Sequence, residues 1–207
     1  MIMRISGFGF GLIRVAKLSF LIAIAVLISF SACRRDGKTP LLKYSVSMER
    51  PADRMFNVTL DCRRLRSDTI DFIMPAWMPG YYQMMEYSGN VRNFSVKTSR
   101  GKDVPFIKTD TNTWRVISER NNSLTISYDV YSDRRFVANN FLDSTRAYIV
   151  TAATFMYIDG YKDVPVMVEV TPFMNWSHVV TGLEKSEGKE YSFTAPDFDI
   201  LYDCPIL

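Results

Sequence analysis

Histidine is almost missing from this chain of 207 residues: the single one is His178, in the stretch NWSHVV. A catalytic zinc centre takes about three protein ligands, most often imidazole and carboxylate, with one position left open. There is no HExxH and no second imidazole to pair with His178, so the expectation is no catalytic residue, no metal ligand and no cofactor in this chain, with His178 at the surface or a strand edge. No nucleophile elbow and no glycine-rich phosphate loop is present. The carboxylates are scattered. Asp197 and Asp199 flank Phe198, which puts them on one strand face, but no pair is spaced for acid–base work. Cysteine is scarce: with Cys33 set aside as a lipidation candidate, only Cys62 and Cys204 remain, too few for a disulfide framework.

Excess charge is also absent once the amino-terminal leader is set apart. Arg4, Arg14 and Lys17 precede an apolar run over residues 18–30, which is shorter than the roughly 20 residues of a membrane span. The run ends in Phe30-Ser31-Ala32-Cys33, which looks like a bacterial lipobox cut before Cys33 and lipidated there. A plain signal peptide cut near Ala32 and an uncleaved anchor are the alternatives. Residues 1–32 are therefore read as a lipoprotein signal peptide, 33–41 as a polar tether, and the protein as lipid-anchored in a bacterial cell envelope. The leader holds three basic residues and no acidic ones, so the 25 Lys and Arg of the whole chain fall to 22, against 22 Asp and Glu. A net charge of zero gives no support to nucleic-acid binding.

A helical period is the next absence; nothing convincing runs beyond about two turns. Alternation with period two is what the chain has. Leu42, Tyr44, Val46 and Met48 form one such set, and Phe56, Val58, Leu60 and Cys62 a second. Leu124, Ile126, Tyr128 and Val130 form a third, and Val166, Val168 and Val170 a fourth. Each set has strand length and one apolar face. Turn residues separate the sets, as in Ser99-Arg100-Gly101-Lys102-Asp103 and Arg120-Asn121-Asn122-Ser123. The stretch 147–158, AYIVTAATFMYI, is continuously apolar and is expected to be a strand buried on both faces. The predicted fold is all-β: a single antiparallel β-sandwich over residues 42–207.

The most distinctive stretch is 71–94, DFIMPAWMPGYYQMMEYSGNVRNF. Pro75 and Pro79 fix φ and remove two backbone donors, Gly80 marks a turn, and Tyr81 and Tyr82 restart a β-prone segment. A rigid, aromatic loop between two strands is the result. Trp77, Pro79, Gly80 and Tyr82 are its candidate binding or structural residues. The favoured reading is a loop packed across the end of the sandwich, with Trp77 plugged beneath it; the alternative is a binding surface.

Met74-Pro75-x-Trp77-x-Pro79-Gly80-x-Tyr82, followed by Asn90-Val91-Arg92-Asn93-Phe94, resembles the N-terminal domain of the glycyl-aminopeptidase-like zinc metallopeptidases, family sixty-one of the metallopeptidases. The likeness continues through Thr113-Trp114, Tyr128-Asp129-Val130-Tyr131, Asp159-Gly160, Pro165 and the following valines, Pro172, Trp176, and the stretch from Ala195 to Pro205. Cys204 departs from it, standing where a serine is more usual. The resemblance implies a non-catalytic β-rich module, ahead of a thermolysin-like zinc domain that would lie C-terminal to Leu207, in a chain cut short of it. It places zinc only in that second domain. In the related aminopeptidase-N group the first domain lends a polar side chain to the substrate's amino end, and by offset from Pro165 the candidate is Thr151. A stand-alone β-sandwich lipoprotein that binds peptide or glycan through the 77–87 loop is the competing hypothesis.

Overall fold

The computed structural model describes residues 39–174, 176–187 and 189–207. The leader and the lipidation candidate Cys33 lie outside the described residues. In chain order the strands are β1 (Leu41–Ser47), β2 (Met55–Arg63), β3 (Thr69–Ile73), β4 (Val91–Thr98), β5 (Phe106–Asp110), β6 (Thr113–Ile117) and β7 (Ser123–Tyr131). They continue with β8 (Phe141–Leu142), β9 (Ala147–Tyr148), β10 (Tyr157–Ile158), β11 (Val166–Thr171), β12 (Glu184–Lys185) and β13 (Ser192–Ala195). Two short helices, α1 (Thr151–Thr154) and α2 (Phe198–Asp203), interrupt this all-β pattern.

A seven-stranded sheet runs in the order β12-β13-β11-β1-β2-β7-β4, and a four-stranded sheet in the order β10-β3-β6-β5; β8 and β9 form a small third sheet. All four alternating sets fall on strands, save Met48 just past the end of β1, and turn their apolar members inward. The reason is steric: successive side chains leave a strand on opposite faces, so every second residue shares the core. Tyr44, Phe56, Leu60, Ile126 and Tyr128 of the large sheet meet Ile70, Phe72, Trp114 and Val116 of the small one in a single buried cluster. Aromatic rings join the two sheets, Phe94 of β4 stacking on Trp114 of β6 at 5.4 Å.

One pairing departs from the antiparallel expectation. β1 and β11 run parallel, Leu42 opposite Val166 and Tyr44 opposite Val168. Parallel neighbours need a long crossover, and here most of the chain lies between the two strands.

The expected two-faced strand over 147–158 is corrected. Its burial is as expected, but it divides into β9, α1 and β10. A strand there would need a hydrogen-bonded neighbour along its whole length, since buried backbone groups must be paired. Side chains pair them instead. Tyr44 Oη donates to Met156 O at 2.8 Å and Tyr128 Oη to Thr154 O at 2.9 Å, while Tyr128 Oη accepts from Met156 N at 3.2 Å. The shared strand face expected of Asp197 and Asp199 is also corrected. Asp197 caps α2, its Oδ1 accepting from Ile200 N at 2.8 Å, and Asp199 sits in the first helical turn. Both places suit a carboxylate at a helix N-terminus. Cys62 and Cys204 are free thiols.

Ion pairs across strands give the fold an acid sensitivity. Asp71 stands opposite Arg115, which donates to it from Nε at 2.8 Å and Nη2 at 2.7 Å. These bonds hold the Asp71 carboxyl below its usual range. Lys43, and then Lys189, do the same for Glu169. A carboxyl depressed in the folded state adds stability above its unfolded pKa and loses it as pH falls through the folded value. The melting temperature is therefore expected to drop below about pH 4, with Arg115→Met shrinking that drop. Melting curves from neutral pH into acid check this, and an Arg115→Met profile parallel to wild type refutes it.

Candidate functional site

The 74–90 loop is a built structure rather than a slack connection. Asn112, in the turn between β5 and β6, grips its entry: Met74 N donates to Asn112 O at 2.9 Å and Asn112 Nδ2 donates to Met74 O at 3.0 Å. Pro75 is buried, so its missing donor is not missed. Met85 N donates to Ala76 O at 2.6 Å and closes the loop on itself. The turn at its tip bonds Tyr81 N to Met78 O, with Gly80 at φ +81°, where a side chain would strain the backbone.

Two tyrosines fix the loop to the domain. Tyr87 is 2% exposed and donates from Oη to Ala138 O at 2.8 Å. Burial, and after it the neighbouring Tyr202, pushes its hydroxyl pKa up, so it stays a donor. Tyr202 of α2 donates to Trp77 O, and its ring meets Trp77 edge-on at 6.1 Å. Burial and then Asp199 push the Tyr202 hydroxyl up to about 12. Tyr81 meets Phe136 edge-on at 5.2 Å.

The expected plug is thereby corrected. Trp77 is 46% exposed, whereas Tyr87 is the buried aromatic of the loop. Met74 and Tyr87 are the large side chains of the loop that are fully buried. Tyr82 and Met84 stand still further out, 87% and 77% exposed. Pro79 is half-buried and Gly80 exposed. The loop presents an apolar rim of Trp77, Tyr82 and Met84 on a rigid base. Its neighbours Phe136 and Val137 are exposed as well.

Thr151 opens α1, is 2% exposed, and donates from Oγ1 to Tyr202 O at 2.8 Å. Its hydroxyl is thus spent on joining α1 to α2. Tyr202 connects Thr151 with Trp77, receiving a bond from one and giving a bond to the other. Sequence reasoning missed Tyr202. Its only signal was the aromatic pair Phe198 and Tyr202 on one face of a six-residue helix. His178 is exposed, as expected, with Nδ1 2.7 Å from Ser177 Oγ.

Among the described residues, no three His, Cys, Asp or Glu side chains gather as a metal site. The ordered neighbour of His178 is a serine hydroxyl. What the site offers is a preorganised apolar contact surface.

The family description Peptidase M61 N-terminal domain matches residues 43–207. The fold is that of part of an aminopeptidase N family protein from Idiomarina loihiensis, with TM-score 0.74 and 22% identity, over 80% of this chain and 29% of that one. An M1 zinc metallopeptidase from Deinococcus radiodurans aligns with TM-score 0.45 and 13% identity, over 81% of this chain and 41% of that one. The present chain thus spans well under half the length of the structures it matches. No curated protein matches it.

Proposed function

This chain belongs to the Peptidase M61 N-terminal domain family, and from that premise we propose that it is the non-catalytic β-domain of an envelope-anchored, zinc aminopeptidase-like protein. In this reading it packs against a thermolysin-like catalytic domain C-terminal to Leu207 and helps to shape that domain's substrate cleft, and zinc belongs to the partner domain alone. The observation that carries the reading is the 74–90 loop. It holds Trp77, Tyr82 and Met84 outward on a base fixed by Tyr87 and Tyr202. Exposed apolar groups gathered on a rigid support mark an interaction surface, and preorganisation lowers the entropic cost of docking.

The test is association with an M61-type catalytic domain supplied separately. The chain alone is expected to hydrolyse neither alanyl nor glycyl anilides, with or without zinc. It is expected to bind the catalytic domain, and Trp77→Ala with Tyr82→Ser is expected to abolish binding while each change costs about 1 kcal/mol or less in stability. Zinc-dependent hydrolysis by the chain itself contradicts the reading. Capture of a peptide or glycan by the 77–87 loop, with no affinity for the catalytic domain, supports the stand-alone lipoprotein instead.

Anchoring is tested separately. Cys33→Ser is expected to abolish incorporation of labelled palmitate and to release the protein from the membrane fraction. Palmitate on the serine variant refutes the assignment.

A further inference from the structure

Alongside Phe136, whose ring also meets Tyr81 of the 74–90 loop, the surface opens into a cavity of about 720 Å³ between the 135–149 segment, the 176–179 segment and the last two residues. That volume lies within the range of about 300–1,000 Å³ typical of small-molecule sites. Among the lining residues Met48, Phe141, Ile149, Val170 and Ile206 are buried, and all five side chains are apolar. These buried side chains carry no nitrogen or oxygen to hydrogen-bond, while Thr145, Ser177 and His178 put polar groups elsewhere in the lining. The charged side chains of the lining, Arg135 and Arg146, are exposed.

The two arginines differ in one decisive respect. Both guanidinium groups lie over the Phe141 ring, Arg135 at 4.7 Å and Arg146 at 5.5 Å from its centre. Arg135 is neutralised by Asp143, with Nη2 3.2 Å from Oδ2. The other oxygen of Asp143 is committed to Thr145 N at 2.8 Å, Thr145 Oγ1 at 2.6 Å and Arg146 N at 3.1 Å. Among the described residues the Arg146 guanidinium has neither an acidic partner nor a hydrogen bond. The mouth of the cavity therefore carries one uncompensated, fork-shaped cation above an apolar floor.

We propose that this cavity binds the carboxylate of a medium-length alkyl chain, with Arg146 holding the head group and the Phe141–Ile149–Val170–Ile206 floor taking the hydrocarbon. Guanidinium and carboxylate match as a two-point, charge-assisted pair. A peptide would bring an amide N–H and C=O with every residue, and burying these against such side chains without partners is costly. An alkyl chain brings neither. The inference goes beyond the proposed docking role and needs no partner domain.

The experiment titrates the full chain with dodecanoate, read by calorimetry and by the fluorescence of Trp176, which lines the cavity. Saturable binding of one dodecanoate per chain is expected, with dodecanol and dodecyltrimethylammonium at least about tenfold weaker, as loss of a charge-assisted pair implies. Arg146→Gln should weaken dodecanoate to the level of dodecanol without changing the melting temperature. Arg135→Gln should have the smaller effect, because its charge is already met by Asp143. Val179→Glu, placing a negative charge in the wall, should abolish binding. Equal affinity for the neutral or cationic analogue, an unchanged affinity in Arg146→Gln, or tighter binding of N-acetyl-leucyl-leucine than of dodecanoate overturns the proposal.

Discussion

Tyr87→Ala is expected to cost about 3–5 kcal/mol, the range for truncating a large aromatic side chain in a core. Tyr87 is among the largest fully buried side chains, and its hydroxyl is the bond that ties the 74–90 loop to the segment carrying Ala138. Truncation leaves a cavity beneath the loop and the Ala138 carbonyl without its donor. Against a total stability of about 5–15 kcal/mol for a domain, that loss lowers the urea midpoint steeply or prevents folding. Tyr87→Phe separates the two contributions: it keeps the ring and removes the bond, at about 1–3 kcal/mol. Trp77→Ala supplies the contrast, because half of that ring is already in water and its loss stays near 1 kcal/mol. Urea unfolding of the three variants decides the matter. A Trp77→Ala loss larger than that of Tyr87→Ala would return the plug to Trp77.

The second large effect is expected at Asn140. Its side chain is buried, with Oδ1 accepting from Val150 N at 2.7 Å and Nδ2 donating to Thr154 Oγ1 at 2.9 Å and Ala153 O at 3.3 Å. These bonds hold α1 in a segment with no strand neighbour. Asn140→Leu fills a similar volume, yet leaves a buried amide N–H and two acceptors unmatched. Each buried unsatisfied group costs about 1–3 kcal/mol, so a loss of roughly 3 kcal/mol or more is expected. Amide hydrogen exchange should speed up first across residues 150–156, and through Thr151 and Tyr202 the change should reach the support of Trp77. If Asn140→Leu matches wild type in stability and in exchange over this stretch, the polar clasp is not what holds α1.

The two effects show where local information stops. The four alternating sets were legible because alternation is a property of one strand: whichever neighbours it acquires, every second residue faces the same way. The rigidity of the 74–90 loop was legible for the same reason, since Pro75, Pro79 and Gly80 act on their own backbone. Family likeness was legible in the spacing of Trp77, Pro79, Gly80 and Tyr82. The break in 147–158 was not, because apolarity specifies burial and says nothing of which groups will satisfy the backbone. Those groups, on Tyr44, Tyr128 and Asn140, lie 10 to 112 residues away along the chain.

The sequence alone determined a β-rich domain, the inward faces of its main strands, and a stiff aromatic loop between two of them, all from interactions within a few residues. Tertiary structure decided that β11 lies parallel to β1, that Tyr87 and not Trp77 is the buried aromatic of the loop, and that Tyr202 joins Trp77 to Thr151. It also left Arg146, among the described residues, as an unpaired cation above the buried apolar side chains of a cavity. Each of these outcomes depends on which distant groups arrive at the same place. A period-two pattern sets the face a residue takes and is silent about the partner it meets there.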